Sequence, residues 1–183
     1  VPPTVSIAGR AATVSGSGSS WSASYAVVAA SVSEGDCSLS IAFADLASNA
    51  GTAVTSTTDS SSVEIDKTAP TLRSVSITSN NAMDSSRANV GDTITVTIVA
   101  NEAIVLTNKN VRISGAYAVA NGGGKNWTAS HLIVANGVKE GAAWIVVSYA
   151  DLASNDGNTV SAVTDGSAVT IDLTPPTLPT VSI

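Results

Sequence analysis

The sequence is poor in reactive side chains. It has one cysteine, one histidine, one methionine and one phenylalanine in 183 residues, and charged residues make up only 12%. A lone Cys37 excludes an intrachain disulfide and reads as a small buried residue. Zinc sites built from Cys and His clusters are excluded as well. Serines abound, but a serine nucleophile needs a base. The only histidine, His131, falls in a strand-like run with no evident acid partner, so an enzyme is not expected. Lys and Arg number 8 against 14 Asp and Glu, a formal net charge of −6. Binding nucleic acid by counterion release needs the opposite balance and is excluded, whereas cations are not. No apolar run is long enough to insert into a membrane. Aromatics are 4%, few for a sugar-binding surface.

What remains is mostly Ser, Thr, Ala and Val, with apolar residues at 44%. Strand-forming residues with few charges read as all-β rather than disordered. The sequence also repeats. DLASN at Asp45–Asn49 returns as Asp151–Asn155, and a shift of 106 lays residues 1–77 on 107–183 without a gap, with 35 identities in 77 pairs. Trp21 falls on Trp127, Glu34 on Glu140 and Asp66 on Asp172. Self-similarity of this length means two copies of one folding unit. The expected domains are 1–70, whose first strands are missing; 71–176, complete; and 177–183. This last stretch, TLPTVSI, repeats the opening strand TLRSVSI of 71–77. Residues 3–7 match 179–183 too, so a period of 176 with alternating long and short domains stays open.

Alternation predicts a strand at 4–7, a turn at 16–20, and then a strand with Trp21, Ala23, Tyr25 and Val27 on one face. The second copy puts Trp127, Ala129, His131 and Ile133 there, so that face points to a core. Cys37, Leu39, Ile41 and Phe43 should also point inward, as should Ala143, Ile145, Val147 and Tyr149. On the outer face Ser38 and Ser40 become Trp144 and Val146. The second domain should therefore carry an apolar strip, either covered by its own loop or used as a lateral interface. Residues 63–66 close the unit, and Pro70 and Pro175–Pro176 stiffen the linkers. Residues 71–106 have no counterpart in the first copy. They read as an opening strand with Val75 and Ile77, a polar loop at 80–89, and a strand Thr93–Ala100 with Ile94, Val96 and Ile98 inward. About seven such runs in 71–172, with no helical period, fit a β-sandwich.

Several pieces in order carry a resemblance: Gly91-Asp92-Thr93 before a strand, Asn101-Glu102-Ala103, Trp127 with its following Thr-Ala-Ser, DLASN, and the exit Ile171-Asp172-Leu173-Thr174-Pro175-Pro176. Together they resemble the bacterial immunoglobulin-like tandem repeats of giant surface adhesins and biofilm-associated proteins. The resemblance implies tandem Ig-like β-sandwich domains in an extended array, extracellular and on the cell surface. There they would form a stalk or filament, partnered end to end by neighbouring copies. In such repeats the DLASN segment is commonly DxAGN, so Ser48 and Ser154 stand where a glycine is usual.

Calcium is the one chemistry the spacing invites, because Ca²⁺ takes about six to eight oxygen ligands. In a seven-stranded sandwich, Glu102 would lie in the second-to-third strand loop and Asp151 with Asn155 in the sixth-to-seventh. Both loops sit at the end where the chain enters, to which the linker would bring Asp66. These four residues could close over one ion and lock two domains together. Repeats of the resembled kind are often calcium-stiffened. The other reading makes the Asp and Asn simple turn-formers. Competing functions are a directly adhesive or carbohydrate-binding module, or an accessory Ig-like domain of a secreted enzyme. Val181 and Ile183 are expected to bury against a neighbouring copy, because the first copy lacks the strands that its own core requires.

Overall fold

The computed structural model describes all 183 residues. The chain divides into two compact units, Val1–Lys67 and Thr68–Ile183. Residues 177–183 group with the second unit and form no strand. The protein is all-β, and its only helical turn is a short 3-10 segment, Ala29–Ser31.

The second unit is built on a four-stranded antiparallel sheet. Its order is Val119–Gly123, Asn126–Leu132, Thr93–Ala100, Leu72–Ser79. Alternation decides which side chains turn inward. Ile94, Val96, Ile98 and Ala100 are buried along the central strand, with Val75 and Ile77 beside them on its neighbour. The threonines between them lie on the other face. A second layer has Val111–Ile113 between Ala116–Tyr117 and Ile145–Val147. Its Val111, Ile113, Ile145 and Val147 join the same core, which is consistent with a β-sandwich. Ala129, Ile133 and Tyr149 are buried as the spacing requires, and His131 is half-buried opposite Ile94. The polar loop after Ser79 contains one pairing the alternation did not signal. Arg87–Ala88 runs parallel to Thr170–Ile171 and buries Ala88 and Ile171.

The hairpin Val119–Gly123/Asn126–Leu132 turns on Gly124, and Gly122 is equally obligatory. Its φ is +142°, and a Cβ there would stand 2.5 Å from the Asn126 carbonyl oxygen. Gly16 repeats this geometry in the first unit, at φ +138° beside Ser20. The turn there is narrower than expected: Ser17 pairs with Ser20, so only Gly18 and Ser19 lie between the strands.

The first unit reproduces part of this plan. Thr4–Ile7 pairs with Leu39–Ala42, Thr13–Ser17 with Ser20–Ser24, and Gly35–Asp36 with Glu64–Ile65. Its buried apolar residues are only Val5, Val32 and Ile65. Two expectations fail here for one reason. The strand after Trp21 stops at Ser24, leaving Val27 exposed, and Phe43 is 45% exposed where its counterpart Tyr149 is 4%. In the second unit Asn126–Leu132 is held along its length by Thr93–Ala100. Ser20–Ser24 pairs here with Thr13–Ser17 alone, without the backbone pairing and apolar cover that Thr93–Ala100 gives in the second unit.

Candidate metal centre

The DLASN turn is the same device in both units. In the second, the Asp151 amide donates to the Asn155 carbonyl at 3.1 Å, and the Ser154 amide donates back to the Asp151 carbonyl at 3.3 Å. The carboxylate closes the loop. Oδ1 accepts the Asn155 amide at 2.8 Å, and Oδ2 accepts Asn155 Nδ2 at 2.7 Å. In the first unit Asp45 accepts the amides of Ala47 and Asn49 at 2.9 and 2.8 Å and Asn49 Nδ2 at 2.9 Å. The serine of each turn is left-handed, at φ +69° for Ser48 and +71° for Ser154. That is the conformation for which glycine is favoured over any residue with a Cβ.

The turns differ in their surroundings. Asp45 is exposed, whereas Asp151 is 3% exposed. Burial pushes the Asp151 carboxyl up, but the hydrogen bonds from Asn155 outweigh it and hold the group below its ordinary value. Ladder pairing of Ile104 with Asp151 and Val105 with Ala150 then brings the loop 101–103 to the DLASN turn. Glu102 arrives on that loop, and its carboxylate and that of Asp151 offer oxygens within 4.8 Å of each other. The loop is tied down on both sides. Asn101 Oδ1 accepts the Thr71 amide at 2.7 Å, and Lys125 Nζ donates to the Asn101 carbonyl at 2.8 Å. Asn101 Nδ2 donates to Glu102 Oε1 at 3.2 Å.

The second unit therefore brings Glu102, Asp151 and Asn155 together. Asp66 belongs to the first unit, directly after its Glu64–Ile65 strand. An all-oxygen set with two carboxylates suits a hard divalent cation, and no sulfur or imidazole is present to favour a softer one. The hydrogen bonds inside the turn also show that Asp151 and Asn155 have a structural task whether or not an ion is present.

The interface candidates fall on two surfaces. Trp144 is 50% exposed and leans on Gly115, from which a Cβ would be 3.5 Å from the indole. Val146 pairs across from Arg112, whose guanidinium lies over the Tyr117 ring at 3.9 Å. Val181 and Ile183 are exposed within the single chain.

Sequence reading missed the ring over each loop. Tyr149 lies against Gly157 so closely that a Cβ there would fall 2.2 Å from the ring, and Phe43 meets Gly51 in the same way. The repeat carried that signal, since both the aromatic position and the glycine recur at the 106-residue shift. No protein family, curated protein or solved structure matches this chain.

Proposed function

We propose that this chain is a stretch of an extracellular structural repeat protein, made of immunoglobulin-like β-sandwich units that form the stalk or filament of a bacterial surface adhesin or fibre. The observation that carries the reading is the repetition of one folding unit, which extends to the geometry of its DLASN turn. A repeat whose turn residues, glycines and inward positions recur together is a unit built for serial use. Nothing in either copy resembles a nucleophile with its base, which favours a mechanical role over catalysis.

The same reading includes calcium at Glu102 and Asp151, with Asn155 beside them. Two carboxylates that offer oxygens within 4.8 Å of one another could share one divalent cation. Bound there, the ion would cross-link the loop 101–103 to the DLASN turn and stiffen the end of the unit. Ligands that bind only the folded state raise its stability by mass action. The melting temperature should therefore rise with millimolar calcium and fall with chelator, and Glu102→Gln should abolish the response. Equal melting curves in calcium and chelator would remove the calcium reading. Surface labelling of intact source cells with an antibody to this chain tests the stalk reading separately. Signal confined to the cell interior would end it.

A further inference from the structure

Two of the three tryptophans use their indole N–H inside the protein. Trp21 donates to the Gly18 carbonyl and Trp127 to that of Gly124, both at 3.1 Å. Trp144 differs. Its indole is half exposed, and its N–H has no protein acceptor. It forms one wall of a cleft of about 620 Å³ in the second unit, with Ser114, Asn136, Lys139, Glu140 and Ala142 around it.

Local structure sets each of these groups. Ser114 and Gly115 are both left-handed, at φ +48° and +91°, and make the tight turn between Val111–Ile113 and Ala116–Tyr117. The Ser114 amide donates to the Trp144 carbonyl at 2.8 Å, which holds the two residues side by side. The Gly137 amide donates to the Val134 carbonyl at 3.1 Å and closes the turn that presents Asn136. Glu140 Oε1 accepts the Leu173 amide and the Thr174 hydroxyl, so its carboxylate is anchored while Oε2 is left without a partner. Lys139 is exposed and makes no ion pair. The Ser114 hydroxyl is buried and unpaired, a hydrogen bond that the unit by itself fails to make.

The cleft thus joins a flat aromatic surface to unused donors and acceptors. Lys139 and Glu140 cancel in charge, which leaves nothing to select an ion. The matching ligand is neutral, with an apolar face and a rim of hydroxyls, and the volume lies within the ordinary small-ligand range of roughly 300–1,000 Å³. The first unit does not repeat these features. Ala8, Ala30, Ser33 and Ser38 stand at the places of Ser114, Asn136, Lys139 and Trp144. The inward Val5, Ile7 and Val32 are meanwhile identical to Val111, Ile113 and Val138. The lining therefore departs from the repeat where the packing does not.

We propose that the Trp144 cleft is a carbohydrate-binding site for a neutral hexopyranose unit of a polysaccharide, seated with its C–H face on the indole and its hydroxyls on Asn136, Lys139 and Glu140. The weakly positive C–H groups of the sugar meet the negative face of the ring. A rotation of the Ser114 side chain would give its hydroxyl the partner it lacks. The inference goes beyond the stalk reading and depends on neither calcium nor assembly, so either can fail without the other. One exposed platform gives weak binding, with Kd about 0.1–1 mM.

The probes are cellohexaose, β-1,4-mannohexaose and maltohexaose, with hexagalacturonate as the acidic comparison. Each is titrated into the 183-residue chain and followed by amide chemical shifts. At least one neutral hexasaccharide should saturate and move the amides of Ser114, Trp144 and residues 136–140. Trp144→Ser installs the residue of the first unit and should weaken binding at least about tenfold. Asn136→Ala should weaken it about threefold to tenfold. Both positions are on the surface, and unchanged melting curves will show that the variants are folded. Lys139→Ala is a third variant, also at an exposed position, and should weaken binding in the same direction. No saturable binding of any neutral probe, binding that survives Trp144→Ser, shifts confined to other parts of the chain, or tighter binding of hexagalacturonate would each overturn the proposal.

Discussion

Asp151 grips Asn155 twice, through its amide and its side-chain nitrogen, and does so in a nearly closed environment. The Asp45–Asn49 pair makes the same bonds in the open. Asp151→Ala would leave the Asn155 amide and Nδ2 without their charged acceptor, and should cost about 2 kcal/mol. Asp45→Ala should do less harm, because water can replace the lost bonds. Thermal melts of the two variants check the order, and equal effects would contradict it.

The same carboxylate predicts a pH dependence. Asp151 titrates below its ordinary value in the folded state, so folding favours the charged form. Its stabilising contribution should be complete above about pH 4, the ordinary carboxylate range, and should disappear as pH falls through the lower folded value. Asp92, held down by the Asn81 side chain and the Asn89 amide, adds to the loss in the same direction. Urea midpoints should therefore fall as pH drops from 5 to about 2, and less steeply in Asp151→Asn. An identical slope in that variant would show that Asp151 contributes nothing.

Ser154 sits in the left-handed region at φ +71° with a Cβ that this conformation disfavours. Replacing it by glycine relieves about 1 kcal/mol of strain, and the added freedom of the unfolded chain offsets part of this. Ser154→Gly should gain about 0.5 kcal/mol, while Ser154→Val should lose well over 1 kcal/mol because of its branched Cβ. Chemical denaturation of the two variants measures both signs.

The contact between Tyr149 and Gly157 leaves no space for a methyl group. Gly157→Ala must push the buried ring aside and should destabilise the second unit by about 1–3 kcal/mol, the usual range for overpacking. Gly157→Ala with Tyr149→Leu should recover part of the loss. Failure of the second change to help would mean that backbone conformation, not the ring, is what requires glycine.

Trp144 lies half in solvent on the face it shares with Arg112 and Tyr117. Trp144→Ser restores the residue found at the matching place in the first unit, Ser38. The monomer's stability should change by less than about 1 kcal/mol, as for other surface changes. If this face is a lateral interface, side-by-side association will weaken in the variant. Unchanged assembly would free the indole of that role.

Local pattern decided much about this protein. Alternation placed Ile94, Val96, Ile98, Ala129 and Val147 inside, because a strand offers each residue only one of two faces. The repeat itself, the turn at DLASN and the glycines of the hairpins were likewise legible, since each depends on neighbours a few residues away. What the pattern could not decide was which inward faces would find a partner. Phe43 and Tyr149 occupy the same place in the repeat, and Ser20–Ser24 matches the start of a longer strand, yet Tyr149 is buried and Phe43 is not. That outcome rests on Leu72–Ser79 and Thr93–Ala100, strands distant in sequence from the residues they cover. The approach of Glu102 to Asp151 had the same origin. It comes from the pairing of Ile104 with Asp151 across 47 residues, a long-range register that only the tertiary structure sets.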